Sequence, residues 1–253
     1  MRVVPLPAFS DNYVYALVDG AARRTAVVDP GDAGPVLAWL EREGLVLETI
    51  LLTHHHGDHV GGVEAIRRRH PGARVAGAAA DRARLPALTQ AVREGDRVAL
   101  PGGEAVVIEV PGHTRGHVAY FVPGAAGGGD LFSGDTVFGG TIGNLFEGTP
   151  DEMFDSLQKL RALPPATRIW CAHEYTLAYV REAARFDPGN ARLVERLRAL
   201  ERRAAAGDPT TVPLRLEEER ATNPFFRWDD REMLERLGTP PGRPAFRRLC
   251  ELL

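Results

Sequence analysis

Four side chains able to bind a metal ion fall within six residues of this chain: His54, His56, Asp58 and His59, in the run Thr53-His-His-His-Gly-Asp-His59. At the end of a β-strand, residues i and i+2 point the same way, so His54 and His56 can grip one ion together. Asp58 and His59 fall in the turn beyond, within reach of a second position nearby. Imidazole and carboxylate are the donors that zinc, iron and manganese accept. Three downstream segments each add one candidate: His113 in Pro111-Gly-His-Thr-Arg-Gly-His117, Asp135 in Ser133-Gly-Asp-Thr136, and His173 in Cys171-Ala-His-Glu-Tyr175. Sorted by geometry, His54, His56 and His113 make one three-nitrogen site, while Asp58, His59 and His173 make another. Asp135 is the carboxylate left to bridge them. Five of the eight histidines are used in this way.

Such a centre suits hydrolysis of an acyl or phosphoryl bond. Two cations ~3.5–4 Å apart lower the pKa of a shared water toward neutrality, so a metal-bridging hydroxide is the expected nucleophile. Asp58 and Asp135 are the expected catalytic carboxylates, ligating and orienting it. A cation also polarises a carbonyl and stabilises the tetrahedral intermediate. A thioester fits well, because a thiol of pKa ~8.5 leaves as thiolate without a strong general acid. No serine or cysteine is arranged as a competing nucleophile, and Cys171 lies in an apolar run. Of the other polar residues nearby, His55 alternates away from His54 and His56 and reads as structural. His117 reads as a brace for the His113 loop, His70 as a surface helix end beside Pro71, and Asp29 as a loop brace outside the site.

Each candidate ligand follows an apolar, strand-like run: Glu48 to Leu52, Ala105 to Val110, Ala119 to Val122 leading to Leu131-Phe132, and Arg168 to Cys171. Loops held by a rigid sheet commonly carry chemistry. Further strands are expected over Val3 to Leu6, Tyr13 to Val18 and Thr25 to Val28. Helices are expected over Ala33 to Glu43, stopped by Gly44, and over Gly62 to His70, stopped by Pro71. Another follows Thr149-Pro150, an N-cap with proline at the first helical position, and runs Asp151 to Leu163. Gly124 to Gly129 reads as a flexible hairpin loop. From Tyr175 the character changes. Leu177 to Phe186, Ala191 to Ala206, Leu216 to Ala221, Asp229 to Leu237 and Arg243 to Leu253 all read as helices, with no strand alternation left. The expected division is therefore a mixed α/β unit over residues 1–174 and a helical unit over 175–253 that packs near the metals.

Composition narrows the function classes. The chain has 253 residues, 44% hydrophobic and 26% charged, which is ordinary for a globular enzyme. A net charge of −3 offers no basic field for nucleic acid or an anionic membrane. Thirty arginines stand against a single lysine, Lys159, which reads as a compositional bias of the source. Two separate cysteines form no disulfide framework. No apolar run of ~18 residues exists to span a membrane, and no signal-like stretch follows Met1. A cytoplasmic monomer acting on a small molecule is the expectation.

The ligand set, in this order, resembles the metallo-β-lactamase superfamily, and within it the glyoxalase II (hydroxyacylglutathione hydrolase) family. The resemblance runs from Pro7-Ala-Phe-Ser-Asp-Asn-Tyr13 through Val28-Asp-Pro-Gly31, Phe146-Glu-Gly-Thr149 and His173-Glu-Tyr-Thr176 to Asn223-Pro-Phe225. It implies an αββα sandwich with an appended C-terminal α-helical domain. It also implies two divalent metal ions, zinc first with iron or manganese as alternatives, and S-D-lactoylglutathione as the substrate, cleaved to D-lactate and glutathione. Carried over residue by residue, the family's glutathione contacts fall on Tyr175 and Arg247, which match, and on Asn144, Phe146 and Cys250, where the family has a cation, a tyrosine and a lysine. Arg243 or Arg248 could stand in for a missing cation. Two alternatives compete: an iron-dependent persulfide dioxygenase, whose branch lacks a helical segment of this size, and a lactonase or thioesterase for a carrier other than glutathione.

Overall fold

The computed structural model describes residues 1–124 and 127–253. The chain opens with β1 (Arg2–Ala8), β2 (Asn12–Asp19) and β3 (Arg24–Val28), then α1 (Ala33–Glu43), β4 (Val46–Leu51), α2 (Gly57–Val60), α3 (Val63–Arg69), β5 (Arg74–Ala78) and β6 (Gln90–Val92). There follow β7 (Arg97–Leu100), β8 (Gly103–Glu109), β9 (Val118–Pro123), β10 (Gly129–Gly134), the small pair β11 (Val137–Phe138) and β12 (Thr141–Ile142), α4 (Pro150–Arg161) and β13 (Arg168–Cys171). The C-terminal part holds α5 (Thr176–Phe186), α6 (Ala191–Ala205), β14 (Leu214–Arg215), α7 (Leu216–Thr222), α8 (Arg231–Leu237) and α9 (Arg243–Leu252).

Two six-stranded sheets form, ordered β1-β2-β3-β4-β5-β6 and β14-β13-β10-β9-β8-β7. Period-two alternation decides which faces meet. In β2, Tyr13, Tyr15 and Leu17 point into the layer between the sheets, where they join Val107, Tyr120, Phe132 and Trp170. Val14, Ala16 and Val18 point the other way, into a core closed by Val36, Trp39 and Leu40 of α1 and Val63 and Ile66 of α3. The outer face of the second sheet, with Leu131 and Ile169, is covered by Met153 and Leu157 of α4 and by Phe225, Phe226, Trp228, Phe246 and Leu249 from the C-terminal part. The layers are helix, sheet, sheet, helix, as expected, with the C-terminal helices sharing the second outer core.

Local signals place the helix ends. Asp32 caps α1 through its side chain, and Gly44 ends it at φ 59°, a left-handed turn that glycine adopts without a Cβ clash. At α4, Thr149 and Glu152 form a reciprocal capping box with Pro150 in the first turn. Two expectations need adjustment. Asp58 and His59 lie in the short helix α2 instead of a turn, since the loop after β4 coils at once against Pro30-Gly31. The C-terminal part does contain a strand: β14 pairs with the edge of β13, a contact too short for two residues of sequence to announce. The expected Gly124–Gly129 hairpin does join antiparallel β9 and β10, although residues 125 and 126 of it lie outside the described residues. Among the described residues, no helix is long and apolar enough to cross a membrane.

Candidate metal centre

Both sheets deliver their chemical side chains to one edge of the sandwich. His54 and His56 follow β4, and Asp58 and His59 sit on α2, all from the first sheet. His113 follows β8, Asp135 follows β10 and His173 follows β13, all from the second. The two halves are tied together beside the site, where Tyr13 donates its N–H to the Ala172 carbonyl (2.8 Å) and Glu174 donates its N–H to Asp11 (2.9 Å). Gly134 precedes Asp135 at φ 50°, and a Cβ there would come within 2.5 Å of Thr53 Oγ1 and 2.8 Å of His117. Only glycine lets the carboxylate loop approach this closely.

The seven expected ligands fall into two groups. His54, His56, His113 and Asp135 offer donor atoms that lie within 4.8 Å of one another, and Asp58, His59 and His173 do likewise. In the first, His56 Nδ1 lies 3.0 Å from His54 Nε2 and 3.1 Å from His113 Nε2. Asp135 stands between the groups. One of its oxygens is 3.4 Å from His113 Nε2; the other is 3.4 Å from His59 Nε2 and 3.7 Å from His173 Nε2. Asp58 Oδ2 lies 3.3 Å from His59 Nε2 and 3.4 Å from His173 Nε2, and accepts from Asn12 Nδ2 at 3.0 Å.

The outer nitrogens of these rings decide where the inner lone pairs point. His59 Nδ1 meets Asp29 Oδ2 at 3.0 Å, His173 Nδ1 meets Asp11 Oδ1 at 2.7 Å, and His113 Nδ1 meets the Asn144 carbonyl at 2.8 Å. Carboxylate and carbonyl oxygens accept only, so each Nδ1 donates and each inner Nε2 is free to act as a ligand once that nitrogen is unprotonated. Asp29 is itself held by the Thr53 N–H and hydroxyl, at 2.8 and 2.6 Å. It is a brace, as expected, but the brace grips His59. Asp11 plays the same part for His173. Sequence did not show which ring either one holds, because a carboxylate that orients a ligand looks like any loop aspartate.

Electrostatics divides the two groups. Burial, reinforced by neighbouring imidazoles, holds His54 well below the ordinary histidine range, and burial also lowers His56 and His113. Burial opposes protonation of His59 and His173, but the carboxylates of Asp135, Asp58, Asp29 and Asp11 outweigh it, raising His59 well above its usual value and His173 to about 10. Burial pushes Asp135 up, yet His59 and His173 bring it down to about 2. Hydrogen bonds from His173 and His59 keep Asp58 below the usual carboxylate range. His59 Nε2 and Asp135 Oδ1 are buried without a hydrogen-bond partner among the described residues. Buried polar atoms are normally satisfied. Converging imidazole nitrogens and orphaned carboxylate oxygen are what a divalent cation would complete, so the donor set fits one at each group.

The remaining residues sort clearly. His55 turns away, to Asp81 at 3.1 Å. His117 stacks on His54 (centroids 4.7 Å apart) and accepts from the Asp135 N–H at 3.2 Å, so it braces the carboxylate loop. Tyr175 stacks on His173 with centroids 4.8 Å apart and helps line a cavity of about 240 Å³ over the two groups, together with Phe138, Asn144, Phe146 and Tyr179. Asn144 and Cys250 line an adjoining cavity of about 250 Å³. Arg247 is the exception. Its guanidinium clasps Asp151 of α4 at 2.8 and 2.5 Å, and it lines neither cavity. Arg243 is likewise held by Asp155, and Arg248 by Glu251. Helix α9 carries these arginines on its solvent side because its buried side holds Phe246 and Leu249.

Comparison with known proteins agrees with this arrangement. Residues 10–173 match the family model of the metallo-beta-lactamase superfamily, and residues 174–252 match that of the hydroxyacylglutathione hydrolase C-terminus. A hydroxyacylglutathione hydrolase of Synechococcus sp. is 53% identical over 90% of this chain and 90% of its own. One of Gloeobacter violaceus is 49% identical over 100% of this chain and 98% of its own. Among solved structures, TTHA1623 in a di-iron-bound form is 32% identical over 68% of this chain and 92% of its own, with a TM-score of 0.56. The BLEG-1 B3 metallo-beta-lactamase shares the fold at 22% identity, covering 89% of this chain and 99% of its own with a TM-score of 0.67. The chain thus belongs to the hydroxyacylglutathione hydrolase family, a thioester-hydrolysing branch of the metallo-β-lactamase superfamily.

Proposed function

We propose that this protein hydrolyses S-D-lactoylglutathione and related glutathione thioesters on two divalent metal ions, zinc in the first instance. The observation that carries the reading is Asp135, whose two oxygens face the two ligand groups from between them. His54, His56 and His113 would hold one cation, Asp58, His59 and His173 the other, with Asp135 shared. Cations so placed supply Lewis-acid polarisation of a carbonyl and activate water near neutral pH. The chain's own part is to prepare the donors. Asp29, Asp11 and the Asn144 carbonyl orient three rings, and burial keeps the first group neutral and ready to ligate. Tyr175, stacked on His173, and Phe146, with its ring 5.2 Å from that of His113, form walls against which the thioester lies. The thiolate product leaves unaided, as its modest pKa allows.

A unit of residues 1–174 carrying the metals and a helical unit of residues 175–253 closing one side of the cleft go with this reading. The test is turnover of S-D-lactoylglutathione by reconstituted protein, with elemental analysis alongside. Two metals per chain and thioester cleavage are expected. One metal at saturation would defeat the bridge, and oxygen uptake on glutathione persulfide without thioesterase activity would replace hydrolysis by dioxygenation.

A further inference from the structure

We propose that the hollow on the far side of Phe146, walled by Arg84, Arg115 and Glu147, is a carboxylate subsite for the carrier end of the thioester, with Arg115 as its anchoring cation. The inference rests on the thioesterase reading above and deepens it. A glutathione thioester brings carboxylates that need cations, and the cavity containing Asn144 and Cys250 has no arginine or lysine in its lining among the described residues. The three arginines of α9 nearby are already engaged by Asp151, Asp155 and Glu251.

The other direction out of the metal centre leads past Phe146. Its ring is 65% exposed, stands edge-on to His56 and His113, and lines both the metal cavity and a hollow of about 500 Å³ beyond. Within that hollow the charges are unevenly spent. Arg84 bridges Asp81 and both oxygens of Glu147, at 2.5 to 3.2 Å. Glu147 also accepts the backbone N–H of Arg115 at 2.9 Å, which pins the His113–His117 loop. The Arg115 guanidinium, exposed at the rim, makes no ion pair or side-chain hydrogen bond among the described residues. Arg84 is shared between two carboxylates and Glu147 is held by Arg84 and the Arg115 N–H, so Arg115 is the cation of this lining whose side chain is uncommitted, and its planar fork matches a carboxylate.

The test is steady-state kinetics of Arg115→Gln and Arg115→Lys at low salt, with Arg198→Gln, an exposed position on α6, as a surface-charge control. An exposed pair of this kind predicts about a two- to fivefold rise in KM for S-D-lactoylglutathione in Arg115→Gln, with kcat little changed. Arg115→Lys should recover most of it, the effect should shrink as salt rises, and Arg198→Gln should leave KM alone. The same Arg115→Gln change should leave KM unaltered for the lactoyl thioester of N-acetylcysteamine, a carrier without carboxylates. An unchanged KM in Arg115→Gln at low salt, or an equal rise with the uncharged carrier, overturns the subsite. Failure of the wild-type protein to cleave S-D-lactoylglutathione would instead overturn the thioesterase reading itself.

Discussion

The floor and the rim of the cleft are built on opposite terms. On the floor five of the seven ligand side chains are buried, and the rings of His59, His173 and His113 each spend one nitrogen on an oxygen that fixes the other. At the rim, Phe146 is exposed, and Arg247 and Arg243 of α9 pair with Asp151 and Asp155 of α4, Arg247 exposed and Arg243 half-buried. A floor group has one place to go because burial and a partner leave no other. A rim cation can choose among several carboxylates at little cost, since exposed pairs are worth ~0.2–1 kcal/mol. Chemistry is therefore specified rigidly and recognition loosely, and substitutions should separate the two.

The largest effect belongs at the centre of the floor. Asp135→Ala should reduce kcat by at least about a hundredfold, with the fold intact by circular dichroism, because it removes the carboxylate between the two ligand groups and leaves their charges unshielded. Near wild-type turnover would show that Asp135 is no bridge.

Next comes the packing that supports the rim. Phe246 is fully buried against Phe154, Phe225 and Trp228, so Phe246→Ala should cost about 3–5 kcal/mol of stability in denaturant titration. At permissive temperature it should loosen α9 and raise KM, while the metal content stays at the wild-type value. Metal loss in the folded variant would mean that floor and rim are one cooperative unit.

A ligand's supporting partner should matter less than the ligand. Asp11→Ala frees His173 Nδ1 and should weaken metal binding at the second group about ten- to hundredfold in chelator competition, leaving the first group's affinity nearly intact. An equal loss at both groups would argue against independent sites.

The smallest effect lies in the neutral cavity. Asn144 and Cys250 line it together, so Asn144→Arg with Cys250→Lys places two cations in one hollow. The pair should lower KM for S-D-lactoylglutathione severalfold at low salt, with kcat unchanged. No change would indicate that the carrier takes the Arg115 side of Phe146 alone.

Much of this molecule was legible before folding because its signals are local. A strand's alternation sends Tyr15 and Val14 to opposite cores, Thr149-Pro150 and Gly44 punctuate helices, and His54 and His56 share a direction by strand periodicity alone. The seven ligand candidates were equally readable, since few residue types bind metals and their spacing repeats after each apolar run. Matters that depend on distant partners were not. That Asp29 serves His59 across 30 positions follows from β3 lying beside β4, and that Asp11 serves His173 across 162 follows from how two sheets meet at one edge. Arg247 aligned with a substrate contact, and tertiary packing placed Asp151 at its guanidinium, a partner that no motif position announced. Sequence alone determined which groups can do chemistry and on which elements they stand. Only the tertiary structure decided which charges are left free for a substrate, because pairing is settled by whatever the fold brings within a few ångströms.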